Sequence, residues 1–265
     1  MLLLNPNQTK AESQARNRAG QYRFEARLTR AESGLRRPLA SARNRFIRAA
    51  AEAWERHQDP LLLREASEHR DEVAAILVAR TRLLVPIWAE DTYQRIRSAK
   101  ADQQGRWQRF VTQWIEAHAL ERAGEIAGTA KRDVTAAITK GIAAGEGAAA
   151  IARRIRKVTI LTPWRADAVA RTETHAAVMF ANASGAREAE RDFGIRLVKV
   201  WMPTIDSRTR DAHAAMIRHA AIPLDHKFNV GGELLDRPGD PRGSAANIIN
   251  CRCGLIHREQ EYEYV

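Results

Sequence analysis

The sequence predicts a mainly α protein, an elongated multi-helix body followed by a small α+β unit at the C-terminal end. From about Thr9 to Asp192, apolar residues recur at intervals of three and four with few glycines inside the segments, which places them along one face of a helix. After Asp192 the texture changes. Ile195, Leu197, Val198, Val200 and Trp201 form a short β-type run, and the residues that follow are dense in Pro, Gly and Asp. The composition, 45% hydrophobic and 28% charged with 6% aromatic, leaves Ala and Leu to supply most of the apolar surface and argues against a disordered chain.

Proline punctuates the helical part, because it lacks an N–H and fixes φ. Pro38, Pro60, Pro86 and Pro163 begin or kink helices, giving candidates at 9–36, 39–57, 61–99, 104–140, 146–157 and 163–192. The chain then reads as a basic helical arm over 1–60, a helical body over 61–192 and the α+β unit over 193–265. In the first helix Ala15, Ala19, Tyr22, Ala26 and Leu28 sit among Arg16, Arg18, Arg23, Arg27 and Arg30, so no broad apolar face holds it. By contrast, Val73, Ile76, Leu77, Leu83, Leu84, Val85, Ile87 and Trp88 are apolar enough to be central, and Trp107, Phe110, Val111, Trp114 and Ile115 repeat at core spacing. A further helix is expected from Ser207 to Ala220, with Asp206 as its cap.

The formal net charge is +11 and the pI about 10.3, a balance that attracts polyanions, nucleic acid first among them. Residues 1–60 hold 12 Lys or Arg against 6 Asp or Glu, so +6 of the +11 lies there. Arg16, Arg18, Arg23, Arg27 and Arg30 are therefore the candidate contacts for double-stranded DNA bound without sequence specificity. An Arg- and Ala-rich chain is also what a GC-rich genome yields without selection for DNA binding. The opening Met-Leu-Leu-Leu run stops at Asn5-Pro6, short of the roughly 20 apolar residues that span a bilayer, so no membrane partner is expected.

Cys251 and Cys253 are the two cysteines, separated by one residue, which makes too tight a ring for an ordinary disulfide and excludes a secreted disulfide scaffold. In an extended strand they point to one face about 7 Å apart at Cα. Two thiolates so placed can converge on zinc, with His213 or His257 supplying further ligands; the other reading is a buried structural pair. Asp206, Arg208, Arg210 and His213 fit a capped helix start whose arginines pair with carboxylates such as Asp211, Glu233 or Asp240. Arg171 and Glu173 are two positions apart on one helix, so each should find its partner elsewhere.

Read in order, Ala170-Arg171-Thr172-Glu173-Thr174, Trp201, Asp206-x-Arg208-x-Arg210 with His213, Pro238-Gly239-Asp240 and Asn250-Cys251-Arg252-Cys253 resemble the C-terminal motif of the phage Mu F-like, SPP1 gp7-like minor head (head morphogenesis) proteins. The resemblance runs from Ala170 to Cys253 and leaves the N-terminal helices unmatched. One departure is Ile217-Arg-His-Ala220, where many relatives have a Gly. What the resemblance implies is a minor head protein present in few copies at the portal or head interior, made in the host cytoplasm and carried in the virion head. Its implied partners are the portal protein and other head components, with a role in head morphogenesis or in escorting DNA, and the resemblance implies no characterised catalytic reaction.

Two enzyme readings compete. The order of Asp225-His226, Asn247 or Asn250, and His257 resembles the His-Asn-His arrangement of metal-dependent nucleases. Glu259, Glu261 and Glu263 give a terminal Glu-x-Glu pattern like that of ADP-ribosyltransferases, without the Ser-Thr-Ser strand that should precede it.

Overall fold

The three-and-four spacing of apolar residues becomes long helices. A computed structural model describes residues 10–57, 63–97, 107–158 and 163–260, with side chains from 23–56, 66–96, 107–158 and 164–260. Helices α1 (Lys10–His57), α2 (Leu63–Arg97), α3 (Gln108–Trp114), α4 (Leu120–Ala143), α5 (Ala148–Lys157) and α6 (Pro163–Phe193) make up the helical part. Strand β1 (Leu197–Met202), the short helix α7 (Asp211–Ala215), β2 (Ile222–Pro223), β3 (Phe228–Val230), β4 (Glu233–Leu235), α8 (Ala245–Ile248) and β5 (Gly254–Glu259) follow. The mainly α chain with a small α+β unit is thus observed. Among the described residues no helix is long and apolar enough to cross a membrane.

The chain forms two compact units that interleave along the sequence: one from Met1–Glu32, Arg82–Thr112 and Arg171–Val265, the other from Ser33–Thr81 and Gln113–Ala170. The second is held by apolar packing. Leu35, Leu39 and Ala42 of α1 lie against Val73 and Leu77 of α2 and Ala119, Ala123 and Ala170, all buried. A neighbouring cluster joins Phe46, Ile47, Ala50 and Trp54 to Val134 and Ile138 of α4 and Ile151 and Ile155 of α5. Each fully buried Leu or Ile contributes roughly 2 kcal/mol.

This packing explains a correction. No break occurs at Pro38, which lies inside the continuous helix α1. Leu35 and Leu39, on either side of the proline, are 2% and 4% exposed, and their burial offsets the missing backbone hydrogen bond. A second difference is a π-helical turn over Ile115–Ala119, between α3 and α4, where one unbroken helix was expected. It brings the Trp114 and His118 rings to 4.5 Å.

In the first unit, α6 approaches α2 at Gly185, where an added Cβ would stand 2.2 Å from the carbonyl oxygen of Ala89. Only glycine permits that contact. Trp107 donates its indole N–H to Glu90 at 2.7 Å and meets Tyr93 edge-on. The predicted core face of α2 is half right: Leu84, Val85 and Trp88 are buried, whereas Leu83 and Ile87 are exposed. A three-stranded antiparallel sheet, order β2-β1-β5, pairs Trp201 with Leu255 and Lys199 with His257. Strands β3 and β4 form a hairpin whose turn residues, Gly231 and Gly232, both have positive φ, the conformation that a tight two-residue hairpin turn favours.

Candidate functional site

The motif residues converge because one turn of α6 grips the closing loop. Arg171 donates to the Asn250 side-chain oxygen at 3.0 Å and the Thr172 hydroxyl accepts the Asn250 backbone N–H at 3.1 Å. Four residues on from Arg171 and so on the same helix face, His175 donates from Nε2 to the Cys253 carbonyl at 2.7 Å. Between those two anchors the loop turns sharply: Asn250 has φ 57°, in the left-handed region that Asn tolerates better than most residues. The other face of His175 meets the Pro238-Gly239-Asp240 loop, where a Cβ on Gly239 would stand 2.7 Å from His175 Nδ1. Gly239 also has positive φ, 68°, so both space and conformation exclude a side chain there.

The Asp206 segment is stapled to the same loop. Arg252 forks onto Asp206 with both guanidinium nitrogens at 2.7 Å, and Asp206 accepts the Arg208 backbone N–H at 2.9 Å. The Arg252 fork and the Arg208 N–H hold the Asp206 carboxyl well below the usual carboxylate range. Arg210 donates to the Ile249 carbonyl at 2.5 Å and Thr204 to the Arg252 carbonyl at 2.9 Å. Asp206 is therefore not the cap of a helix from Ser207. The helix begins at Asp211 after an extended Arg210, and ends in a 3₁₀ turn, Met216–Arg218, that leaves through an extended His219 without needing a glycine. Nor do the arginines take the expected acids. Arg208 pairs with Asp206 and Arg210 with a carbonyl, while Glu233 accepts from Ser244 and Asp240 from Arg242 and the Asp236 N–H.

At the centre lie His213, Cys251 and Cys253, all buried, with one donor atom from each within 4.8 Å of the others. His213 Nδ1 is 3.7 Å from Cys251 Sγ and 3.3 Å from Cys253 Sγ. The cysteines are not paired along a strand as expected, since β5 starts only at Gly254; the Asn250 turn brings them together instead. Trp201 packs edge-on against His213 and Phe228, closing the apolar side. The hydrogen bond between the two thiols, together with burial, pushes Cys251 up, whereas the same bond and His213 pull Cys253 down. His257, the other expected ligand, is outside this cluster. It sits on β5 opposite Lys199, where burial and the neighbouring cations pull its pKa down to about 3.

A second polar centre, which sequence reasoning missed, surrounds Asp236. Lys199, 2% exposed, donates to an Asp236 carboxyl oxygen at 2.6 Å and to its carbonyl at 2.8 Å. Arg187 reaches both carboxyl oxygens at 3.0 and 2.9 Å, and Arg237 reaches one at 3.1 Å. Burial opposes the charge on Asp236, but Arg187 and Lys199 outweigh it and hold the carboxyl well below its ordinary range. A signal was present: Lys199 alternates in phase with Leu197 and Trp201, so it had to share their buried face.

The remaining candidates are dispersed. Glu173 is buried. Arg27 pairs with Asp91 at 2.8 Å and lies over the Trp88 ring, Arg30 donates to the Ala26 carbonyl, and Arg23 is exposed. The start of α1 is thus packed from about Phe24, whose ring meets Trp88 edge-on, with Leu28 buried. The side chains of Arg16 and Arg18 lie outside the described residues, as do Glu261 and Glu263. The nuclease set does not assemble: exposed His226 bonds its neighbour Asp225, and neither His226 nor His257 joins a cluster of metal-ligating groups among the described residues.

Comparison with known proteins matches residues 132–256 to the family model described as Phage Mu protein F like protein. Residues 132–256, just under half of the chain, thus resemble the Mu F-like family. The match begins in α4, upstream of the first motif at Ala170. The chain is 31% identical over 126 residues to the minor head protein GP7 of Bacillus phage SPP1, and 32% identical over 125 residues to a protein of Enterococcus faecalis named NAD(+)--arginine ADP-ribosyltransferase EFV. Each match covers 47% of this chain, but only 40% and 25% of the respective relatives. No solved structure matches it.

Proposed function

We propose that the protein is a minor head protein of a bacteriophage or prophage, carried in the virion head and acting in head morphogenesis at the portal. The observation that carries this reading is the convergence of the Mu F-like motif fragments. Residues of α6, the Asp206 segment, the Gly239 loop and the Asn250–Cys253 loop lock together within one polar framework around the buried His213, Cys251 and Cys253. The framework is what the family signature encodes, so the chain carries the family's unit in folded form. Portal protein and other head components are its partners, and the host cytoplasm is where it assembles.

The net charge of +11 supports contact with packaged DNA, bound through phosphate and without sequence preference. The arginine ADP-ribosyltransferase activity in the name of the Enterococcus relative is not carried over, because the matched stretch is a quarter of that protein and Glu259 stands exposed at the end of β5. Mass spectrometry of purified heads tests the proposal. The protein should be present in low copy, and deleting its gene should reduce the yield of filled heads. Its absence from heads, with normal head yield in the deletion strain, would remove the reading. DNA contact is tested separately by anisotropy with unrelated duplexes, expecting equal affinities that fall steeply with salt.

A further inference from the structure

We propose that His213 Nδ1, Cys251 Sγ and Cys253 Sγ form a zinc site, with Asn247 as the residue that orients the histidine. Around a tetrahedral zinc, bond lengths of about 2.3 Å to sulfur and about 2.05 Å to nitrogen put S and N donors about 3.6 Å apart. The two sulfurs stand 3.7 and 3.3 Å from Nδ1, on either side of that value. Hydrogen bonding can link the trio only in series, one thiol to the other and that one to Nδ1, whose single lone pair takes one donor. A single metal ion uses all three donors.

The tautomer fits as well. Asn247 donates from Nδ2 to the Val230 carbonyl at 3.3 Å, which turns its Oδ1 toward His213 Nε2 at 3.2 Å. That oxygen can only accept, so Nε2 carries the proton and Nδ1 presents its lone pair to the sulfurs. Such an outer partner is how metal-binding histidines are commonly fixed. The chain supplies three donors, and the fourth position falls to water or another exogenous donor. The buried setting between Trp201, Phe228 and the loop anchored by Arg171, Thr172 and His175 makes the ion a structural clasp, joining α7 to the closing loop.

The inference is independent of the virion role. Purified full chain should contain one zinc per chain by elemental analysis. After chelator stripping, titration with Co²⁺ alone should saturate at one equivalent and develop the intense thiolate-to-cobalt absorption of a two-sulfur site. Asn247→Ala should keep that absorption but weaken Co²⁺ binding about 10- to 100-fold. Cys253→Ser should halve its intensity; because that change can unfold the unit, the titration of the unaltered protein decides. Saturable binding without the thiolate band, no binding, or a protein purified under reductant with no stoichiometric zinc and an unchanged melting curve in chelator would each overturn the site. Unaltered affinity in Asn247→Ala would remove the orienting role.

Discussion

The compact unit built from 33–81 and 113–170 and the α+β segment from β1 to β5 stabilise themselves by different means. In the former the buried residues are almost all Ala, Leu, Ile, Val, Phe and Trp, interdigitated between helices. In the latter, a Lys, two Asp, an Arg, a His and an Asn are buried alongside apolar side chains such as Leu197, Trp201 and Phe228, and each of these polar groups except His213 is fixed by charge-assisted or backbone hydrogen bonds. Apolar packing is nondirectional and tolerates substitution by similar volumes. A buried polar network specifies one arrangement of loops and fails when one member is lost. The segment that carries the family signature is the one that depends on particular residue identities rather than on apolar volume.

Asp236→Ala should break this comparison open with the largest effect. It strips the counter-charge from Lys199 and Arg237, both buried, and removing one partner from a buried ion pair destabilises by about 3–5 kcal/mol. Denaturant unfolding read together with amide exchange should place the loss in β1, β4 and β5, and leave α4 and α5 protected. Equal loss of protection in α4 and α5 would mean that the two regions are not energetically distinct.

Acid should distinguish the regions next. His69, 3% exposed and stacked on Phe46, has its pKa pulled down to about 4, first by burial, and neither ring nitrogen has a hydrogen-bond partner among the described residues. Its folded pKa lies below the unfolded value of about 6.5, so below pH 6.5 the unfolded chain binds the extra proton and stability falls until about pH 4. At about 1.4 kcal/mol per pKa unit the loss is roughly 3 kcal/mol. Asp236 acts lower: its pKa is depressed, so its contribution is complete above the ordinary carboxylate range and is lost as pH falls through and below it. His69→Phe should flatten the stability profile between pH 6.5 and 4 and leave the loss below pH 4 intact. An unchanged profile would show that His69 is not the titrating group.

The same contrast explains what was legible in the sequence. Helices α2, α5 and α6 were read to within a few residues, because Ala and Leu stripes at three and four have one solution. Pro38 was misread as a break since a proline rule is local, while Leu35 and Leu39 are held by distant residues such as Val73 and Leu77. Of the site, His213, Cys251 and Cys253 lie together, whereas His257 does not join them. Four residues along an extended chain span about 13 Å, too far from Cys253 to share an ion, and the register instead places His257 across from Lys199. The Lys199–Asp236 pair, 37 residues apart, had only the phase of Lys199 to announce it.

Asn250 sharpens the picture at smaller scale. Asn250→Ala loses the Arg171 hydrogen bond and places a Cβ residue without a helpful side chain at φ 57°, which together should destabilise by about 2 kcal/mol. Asn250→Gly keeps the conformation accessible and should recover about half of that. Urea midpoints of the two variants check it; a glycine variant as unstable as the alanine one would mean that the Arg171 bond, and not the backbone turn, is what Asn250 supplies.

The smallest effect is expected on the surface of the helical unit, where polar contacts are also present but exposed. Arg45 pairs with Glu72, their side chains 60% and 34% exposed. In water such a pair gains little Coulomb energy, immobilises two long side chains and is screened by salt. Arg45→Ala should therefore change stability by less than about 1 kcal/mol, and the difference should vanish in roughly 1 M salt, where the screening length is about 3 Å. Glu72→Gln should behave alike, since neither partner is left buried without its counter-charge. If Arg45→Ala instead approached the loss expected for Asp236→Ala and persisted in salt, burial could not be what separates the two networks, and the contrast between an apolar helical unit and a polar signature segment would have to be redrawn around the number of ion pairs rather than their exposure.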